Sequence, residues 1–244
     1  MTVPLIVSFG GGVNSAAMLV GLHERGIIPD LILFADTGAE KPETYAFVDT
    51  MRTWAVRNLD RGIVALSNDG MYGTLENECL TKKTLPSLVF GWRSCSDKYK
   101  LRPQQKYAKA VYGKQELRWA VGIDAGEAHR QGRFKDCWHP LVEWGWDRAE
   151  CIAALKRAEL PIPIKSACYF CPASTKLEVK ALARTNPDLF ARAVEMEHNA
   201  TAAHTAKGLG RHWSWEGLVA ADDAQFKILP DAPQIDCMFF DGEE

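Results

Sequence analysis

The sequence predicts an α/β fold built on a parallel sheet, and three observations support this prediction. Short apolar runs of strand type recur along the first half of the chain, at residues 4–9, 31–35, 62–66 and 117–123. A stretch rich in helix formers follows the first run. The second run ends in a carboxylate and a glycine, Asp36-Thr37-Gly38, and a predicted helix with Pro42 near its start comes next. This order is the strand–helix rhythm of a parallel sheet.

The composition agrees with one large globular domain, or one domain with a modest extension. The chain has 244 residues, of which 47% are hydrophobic and 25% are charged, so a sizeable core can be buried. The net charge of −2 does not give the overall basic character of a nucleic-acid-binding surface, although a local basic patch is not excluded.

The pattern of apolar residues and cysteines predicts a cytoplasmic protein with no membrane partner. No apolar run approaches the roughly 18 residues that a transmembrane helix needs. No basic segment precedes the first apolar stretch, so we expect no secretory signal. The seven cysteines are odd in number, and we interpret them as thiols or metal ligands rather than as a disulfide framework.

Three consecutive glycines, Gly10 to Gly12, separate the first strand from a predicted helix at 15–25. The N-terminus of a helix presents backbone N–H groups with partial positive charge, and glycines let that backbone approach an anion closely. Asn14 and Ser15 can cap the helix or bind a phosphate. The turn therefore suits a phosphate or pyrophosphate. A plain tight turn is the alternative, because the segment is neither a Walker A loop nor GxGxxG.

Two further segments carry candidate chemistry. Residues 92–103 bring several basic side chains close to Cys95, which predicts either an anion-binding segment with a reactive or ligating thiol, or a solvated helix start. Cys168 and Cys171 form a CxxC, which fits half of a zinc site, a redox pair, part of an iron–sulfur site, or a chance pair of buried thiols. No second CxxC or HxxxH lies near it.

Several of these motifs resemble one known superfamily. SFGGGVNS at 8–15 is similar to the PP-loop of the adenine nucleotide α-hydrolase-like superfamily, whose usual form is SGGxDS; Gly10 stands where serine is common and Asn14 where aspartate is common. DTGAEKPETY resembles the DTGxExPETY segment of the phosphoadenylyl-sulfate (PAPS) reductase branch. WRSCSDKYK is similar to the R-x-C-x-x-x-x-K of that branch, and GIDAGEAHR to its GIRxxES-x-R. The resemblance covers residues 4–172.

The resemblance implies a doubly wound parallel sheet of the HUP type, with a nucleotide-binding domain at 1–172 and a helical C-terminal portion at 173–244. It also implies binding of ATP, or a related adenine nucleotide, with Mg²⁺, and cleavage between the α- and β-phosphates. The implied catalytic residues are Asp36, Arg93, Lys98 and Arg130. The implied nucleotide-binding residues are Ser8, Gly10, Gly11, Gly12, Asn14, Ser15, Asp36, Thr37, Gly38, Glu40, Gly122 and Glu127.

Many members of this branch carry a metal cluster held by cysteines. The ligand set that the resemblance implies here is Cys95, Cys168 and Cys171, for a 4Fe-4S cluster with zinc as the alternative. Three thiolates leave one iron open, which can take a sulfide or a fourth ligand such as Cys79. Adenylation of an oxygen beside such a centre would allow oxygen to be exchanged for sulfur.

Three functions are carried forward as hypotheses. The first is an enzyme that adenylates a substrate and transfers sulfur to a nucleobase or nucleotide, with the iron–sulfur centre assisting. The second is a sulfonucleotide reductase that uses Cys237 as its nucleophile, although the sequence around Cys237 differs from the ECGLH-like string of such enzymes. The third is a non-catalytic module that binds a nucleotide or nucleic acid and holds a structural metal. A homodimer remains open.

Overall fold

A computed structural model describes residues 3–133, 136–201 and 206–228. Its centre is a sheet of five parallel strands in the order β3-β2-β1-β4-β5, flanked by helices, which confirms the predicted doubly wound α/β fold class. The strands are β1 (Leu5–Phe9), β2 (Leu31–Asp36), β3 (Ile63–Ser67), β4 (Arg118–Val121) and β5 (Cys137–Trp138).

Ten α-helices are found in the described residues. They are α1 (Val13–Glu24), α2 (Pro42–Leu59), α3 (Leu75–Thr81), α4 (Ser94–Ser96), α5 (Arg102–Tyr112), α6 (Pro140–Glu143), α7 (Arg148–Arg157), α8 (Lys176–Thr185), α9 (Pro187–Thr201) and α10 (Trp215–Ile228). Two 3₁₀ segments occur at Ser87–Phe90 and Ala125–Arg133, and a π-helical segment, Asp97–Leu101, joins α4 to α5. None of the helices in the described residues is both long and apolar enough to cross a membrane.

The sheet reverses its strand order between β1 and β4. Val7 in β1 pairs with Ile32 in β2 on one side and with Ala120 in β4 on the other. The chain therefore leaves β1 towards one edge of the sheet and returns later to the opposite edge. In open parallel sheets, ligands bind beyond the carboxyl ends of the strands at such a reversal.

Two hydrophobic cores hold the elements together. The first contains the apolar side chains of β1, α1, α2 and α7, and it buries nearly all of α1 because that helix packs between the sheet and α7. The second contains residues of α3, the CxxC segment, α8, α9 and the start of α10. The second core draws on residues from both sides of position 172, and the division into two domains there stays a prediction.

The four predicted strands and the helices predicted after the first two of them are present, whereas elements such as α3, β5 and α10 were not predicted. Helix α3 lies in the stretch from 67 to 91, and its first turn is capped by the Thr74 hydroxyl, which accepts from the Asn77 N–H at 3.1 Å. Strand β5 was not predicted, because two residues are too few to carry a hydrophobic period.

Candidate functional site

The glycine turn connects β1 to α1 as predicted, and Gly11 is needed for its shape. Gly11 has a φ of +74°, and a Cβ there would lie 3.2 Å from Thr44 Cγ2 and 3.3 Å from Val48 Cγ2. The Ser15 hydroxyl folds back to donate to the carbonyl oxygen of Gly12 at 3.0 Å. The first N–H groups of α1 have no acceptor within the helix, so the turn presents backbone donors at the edge of the sheet.

Gly122, directly after β4, packs against this turn. A Cβ at Gly122 would lie 2.9 Å from the backbone N and Cα of Ser15 and 3.0 Å from the carbonyl carbon of Asn14. Real Cβ atoms do not approach backbone that closely, so only glycine lets the segment after β4 pass beside the first turn of α1. The predicted site residue Gly122 is therefore also a packing requirement.

A cleft of about 1110 Å³ opens where the glycine turn, the segment after β4 and the N-terminus of α7 meet. Such a volume suits a ligand of nucleotide size. Seven predicted site residues line it, namely Gly10, Gly12, Asn14, Ser15, Gly122, Glu127 and Arg130. Four cationic side chains line it, Lys100, Arg130, Arg148 and Lys165, together with four carboxylates, Asp124, Glu127, Asp147 and Glu178. We call it the phosphate cleft, after the ligand that the sequence predicts for the glycine turn.

Asp36 closes β2 as predicted, but its carboxylate is occupied locally. Its Oδ1 accepts hydrogen bonds from the Gly38 N–H and from the Tyr45 hydroxyl, both at 2.8 Å. Burial and then the contact with Asp36 raise the pKa of Tyr45, which keeps that phenol protonated as a donor. Asp36, Thr37 and Gly38 lie beside the phosphate cleft without lining it.

Glu40 connects the edge of the phosphate cleft to the CxxC segment. Its side chain is fully buried and lies 3.0 Å from Lys100 Nζ and 3.3 Å from Ser166 Oγ. The Ser166 hydroxyl donates to the Gly10 carbonyl oxygen at 2.6 Å, which ties the segment before the CxxC to the glycine turn. Glu40 also pairs with Cys168 in an antiparallel bridge.

The CxxC segment packs on the connection between β2 and α2. The Tyr169 N–H donates to the Ala39 carbonyl oxygen at 2.9 Å, and Thr37 Oγ1 lies 3.2 Å from Cys168 Sγ. Thr37 and Glu40, predicted to lie beside the nucleotide, thus contact the thiol segment directly. Their position places the CxxC next to the phosphate cleft.

Four thiols gather at this place, and we call Cys79, Cys95, Cys168 and Cys171 the thiol group. Cys79 and Cys168 are buried in the second hydrophobic core, and Cys95 and Cys171 pack against it. Burial raises the pKa of both the Cys79 and Cys168 thiols to about 12 and raises that of Cys171 above its usual value. Thiols in such surroundings stay protonated until a cation displaces the proton.

Within the part of the chain that the structure describes, no three His, Cys, Asp or Glu side chains converge closely enough to hold one metal ion. The CxxC segment nonetheless packs in the same hydrophobic core as Cys79 and Cys95, which are far from it in sequence. The predicted metal ligands Cys95, Cys168 and Cys171 therefore belong to one group, and Cys79 joins them.

A second cavity, of about 200 Å³, adjoins Cys79 and Cys95. In its wall, Lys98 Nζ and Lys82 Nζ lie 2.7 Å and 2.5 Å from the same oxygen of Glu78. These lysines lower the pKa of Glu78 to about 2, although burial alone would raise it. Lys98, predicted as a catalytic residue, therefore faces the thiol group and does not line the phosphate cleft.

The other predicted residues are placed in different surroundings. Arg93 is exposed and lines neither of these two cavities, whereas Arg130 lines the phosphate cleft and pairs with Glu127. Ser8 is in β1, partly buried beneath the turn. Cys237 lies outside the described residues.

Sequence reasoning missed several residues of the site, among them Lys100, Asp124, Arg148, Lys165 and Ser166. A signal was available for Asp124, because it directly follows a predicted strand and the carboxyl ends of parallel strands form ligand sites. No spacing in the sequence indicates that the N-terminus of α7, which carries Arg148, faces the glycine turn.

No protein-family model matches the chain, and a search of the curated proteins found no match either.

Proposed function

We propose that this chain is a PP-loop enzyme that binds ATP with Mg²⁺ in the phosphate cleft, transfers AMP to a substrate oxygen, and passes sulfur to that substrate with help from a centre at the thiol group. The observation that carries the proposal is the adjacency of two features. A helix N-terminus and four cations face one cleft, and four thiols lie beside that cleft, joined to it through Glu40 and Lys100.

The cleft suits a triphosphate for electrostatic reasons. Backbone N–H groups at the start of α1 and the side chains of Lys100, Arg148 and Lys165 can neutralise several phosphate oxygens. Mg²⁺ binds through one or two carboxylates together with substrate phosphates, and carboxylates line the same cleft. The residues present therefore fit a magnesium–nucleotide complex.

The proposed reaction balances without an outside oxidant. A substrate oxygen attacks the α-phosphorus of ATP, the bond between the α- and β-phosphates breaks, and its electron pair leaves on pyrophosphate. A sulfur nucleophile at the sulfide level then attacks the carbon that carries the adenylated oxygen, and AMP leaves with that oxygen. The acceptor class we propose is a nucleobase or nucleotide.

The thiol group supplies donors for an iron–sulfur cluster, with zinc as the alternative. Both take cysteine thiolates as ligands, either four around one tetrahedral zinc or one on each iron of a four-iron cluster. Cys79 and Cys168 lie in the second hydrophobic core and Cys95 and Cys171 pack against it, so four such donors come from one part of the fold. When bound, such a cluster would supply iron that can hold sulfide close to the nucleotide.

The test is pyrophosphate release from ATP by protein purified without oxygen, with nucleosides, nucleotides and transfer RNA offered as acceptors. Gly10→Val should abolish release, because it adds bulk inside the cleft where its Cβ meets only Ser15 Oγ at 3.8 Å. Gly62→Val is the matched control, since nothing lies within 4 Å of that position. Release that is unchanged by Gly10→Val, or ATP that does not bind, would contradict the proposal.

The two other hypotheses give different results in the same assay. A sulfonucleotide reductase would consume PAPS or its unphosphorylated form, and would lose activity on Cys237→Ala. A binding module would retain ATP but release no pyrophosphate with any acceptor.

A further inference from the structure

Three side chains form a hydrogen-bonded chain across the phosphate cleft. The Nδ2 amide of Asn14 donates to Asp124 Oδ2 at 2.8 Å, and Arg148 Nη1 donates to Asn14 Oδ1 at 3.1 Å. Asp124 follows β4, Asn14 is in the first turn of α1, and Arg148 begins α7. These two hydrogen bonds therefore connect α1 to the segment after β4 and to α7, which are 110 and 134 residues away in the sequence.

The two neighbours fix the orientation of the Asn14 amide. An ionised carboxylate only accepts hydrogen bonds, and a guanidinium only donates them. If the amide were turned over, its NH₂ would face Arg148 and its oxygen would face the Asp124 carboxylate, so both bonds would be lost. The arrangement is thus defined by chemistry and not only by the assignment of amide atoms.

The two outer members of this hydrogen-bonded row, Asp124 and Arg148, are both held in place. Asp124 is only 4% exposed, and its Oδ1 accepts from the Glu127 N–H at 2.9 Å. Arg148 starts a helix whose Cys151 and Leu155 are buried in the same core as α1. The guanidinium itself is exposed to the cleft, and the bond to Asn14 uses one of its five N–H donors.

We propose that Asp124 and Asn14 are positioning residues that hold the Arg148 guanidinium beside the glycine turn, and that Arg148 binds the phosphates that leave as pyrophosphate. This inference rests on the proposed function. The electron pair of the broken phosphoanhydride bond moves onto the leaving pyrophosphate, so a guanidinium held in advance at that place stabilises the transition state. Arg148 touches the substrate, whereas Asp124 and Asn14 act only through it.

The hydrogen bonds to Asp124 and Arg148 also explain why position 14 carries an asparagine. A carboxylate there would face the buried carboxylate of Asp124 across a contact of 2.8 Å, and like charges at that distance repel. Exchanging the two residue types restores a compatible pair. In Asn14→Asp/Asp124→Asn, the new amide donates to the new carboxylate, which still accepts from Arg148.

The experiment is calorimetric binding of Mg-ATP, and separately of inorganic pyrophosphate, to the full chain and its variants. Asn14→Asp should weaken binding by about tenfold or more, and the exchanged double variant should return to within about threefold of wild type. Arg148→Gln should weaken binding by about tenfold. Arg157→Gln, at the other end of α7 and paired with Glu24 and Glu150, is the control and should leave binding unchanged.

The positioning role has its own readout. If Asp124 acts through Arg148, then Asp124→Asn weakens binding in the wild-type background but adds nothing in the Arg148→Gln background. A full additional loss there, a double variant that binds no better than Asn14→Asp, or wild-type affinity in Arg148→Gln would each overturn the inference.

The failure of the inference can be told apart from that of the proposed function. Wild-type protein that binds neither ATP nor pyrophosphate overturns both. Wild-type protein that binds them while all the variants bind equally well overturns the inference alone. Thermal unfolding of each variant identifies those that do not fold. If Asn14→Asp is among them, Arg148→Gln still tests the inference, because Arg148 is exposed and its replacement should not disturb the fold.

Discussion

The Lys100 ammonium lies 3.0 Å from the carboxylate of Glu40, whose side chain has no exposure to solvent. Burial alone would lower the pKa of Lys100, but the charge of Glu40 and the hydrogen bond to it raise the pKa above its usual value. Lys100 also lines the phosphate cleft. The same ammonium therefore pairs with a buried carboxylate and contributes positive charge to the cleft.

Removal of this cation should destabilise the fold. Lys100→Gln leaves the Glu40 carboxylate buried without its ion partner, and we expect the free energy of unfolding to fall by about 2 kcal/mol. The loss is smaller than for a fully buried pair because the Lys100 side chain is 37% exposed. Urea unfolding measures it.

The matched control is Lys106→Gln, which removes an ammonium from a surface pair with Asp69. Both members of that pair are more than two-thirds exposed, so we expect a change below about 0.5 kcal/mol. Equal losses in the two variants would show that the Lys100–Glu40 pair stabilises the fold no more than a surface ion pair does.

Gly122→Ala should disturb the phosphate cleft and the fold together. The added methyl group meets backbone atoms of Asn14 and Ser15, which cannot move aside without shifting the first turn of α1. We expect a loss of about 1–3 kcal/mol in the free energy of unfolding, with weaker ATP binding. Gly62→Ala, in open space, should change neither quantity, and a Gly122→Ala protein as stable as that control would contradict the close approach.

The sequence predicted the sheet well because its strands are apolar, short and separated by clear turn residues. Val7 and Ile32 belong to such runs, and their pairing in adjacent parallel strands follows from the strand–helix rhythm. The glycine turn was also predicted, since three glycines before a helix are a local signal. Strand β5 and helix α3 were missed because each is too short to carry a period.

Local motifs predicted individual residues of the site, but not the contacts between distant ones. The contact between Asn14 and Asp124 joins positions 110 residues apart, and the contact between Thr37 and Cys168 joins positions 131 residues apart. Such contacts depend on how helices and loops pack, which no local pattern encodes. For the same reason, Lys98 was predicted as a site residue and Lys100, two residues on, was not, although only Lys100 lines the phosphate cleft.

Iron content should depend on each member of the thiol group. We expect about four irons and four sulfides per chain in protein purified without oxygen, and a loss of iron on replacing Cys79, Cys95, Cys168 or Cys171 by serine. Cys151→Ser is the control, because that thiol is buried in α7 in the other core. Iron retained in Cys79→Ser would remove Cys79 from the ligands, and one zinc per chain would contradict the sulfur-transfer mechanism.

Glu197 should make stability depend on pH. Burial raises its pKa above 4.5, although its carboxylate accepts from the N–H groups of Leu209 at 2.6 Å and Trp215 at 2.9 Å. The folded chain therefore keeps a proton that the unfolded chain has released. The free energy of unfolding should fall as the pH rises from 4.5 through the raised pKa, and this contribution is absent above it.

Glu197→Gln cannot release this proton, so urea unfolding over a pH series should show wild type losing stability relative to the variant as the pH rises. The glutamine also turns an NH₂ towards backbone donors, which should cost about 1–3 kcal/mol at neutral pH. Glu195→Gln, exposed on the same helix, is the control. Parallel curves for wild type and Glu197→Gln would contradict the assignment.

The antiparallel bridge between Glu40 and Cys168 also bears on the order in which the molecule folds. It closes a loop of well over a hundred residues, and contacts so distant in sequence form late because the entropy of closure must be overcome first. The CxxC segment is therefore expected to dock beside Glu40 after the nearer strands have paired. If the thiol group holds a metal as proposed, the metal is added to a sheet that has already formed, and we expect protein prepared without metal to be folded.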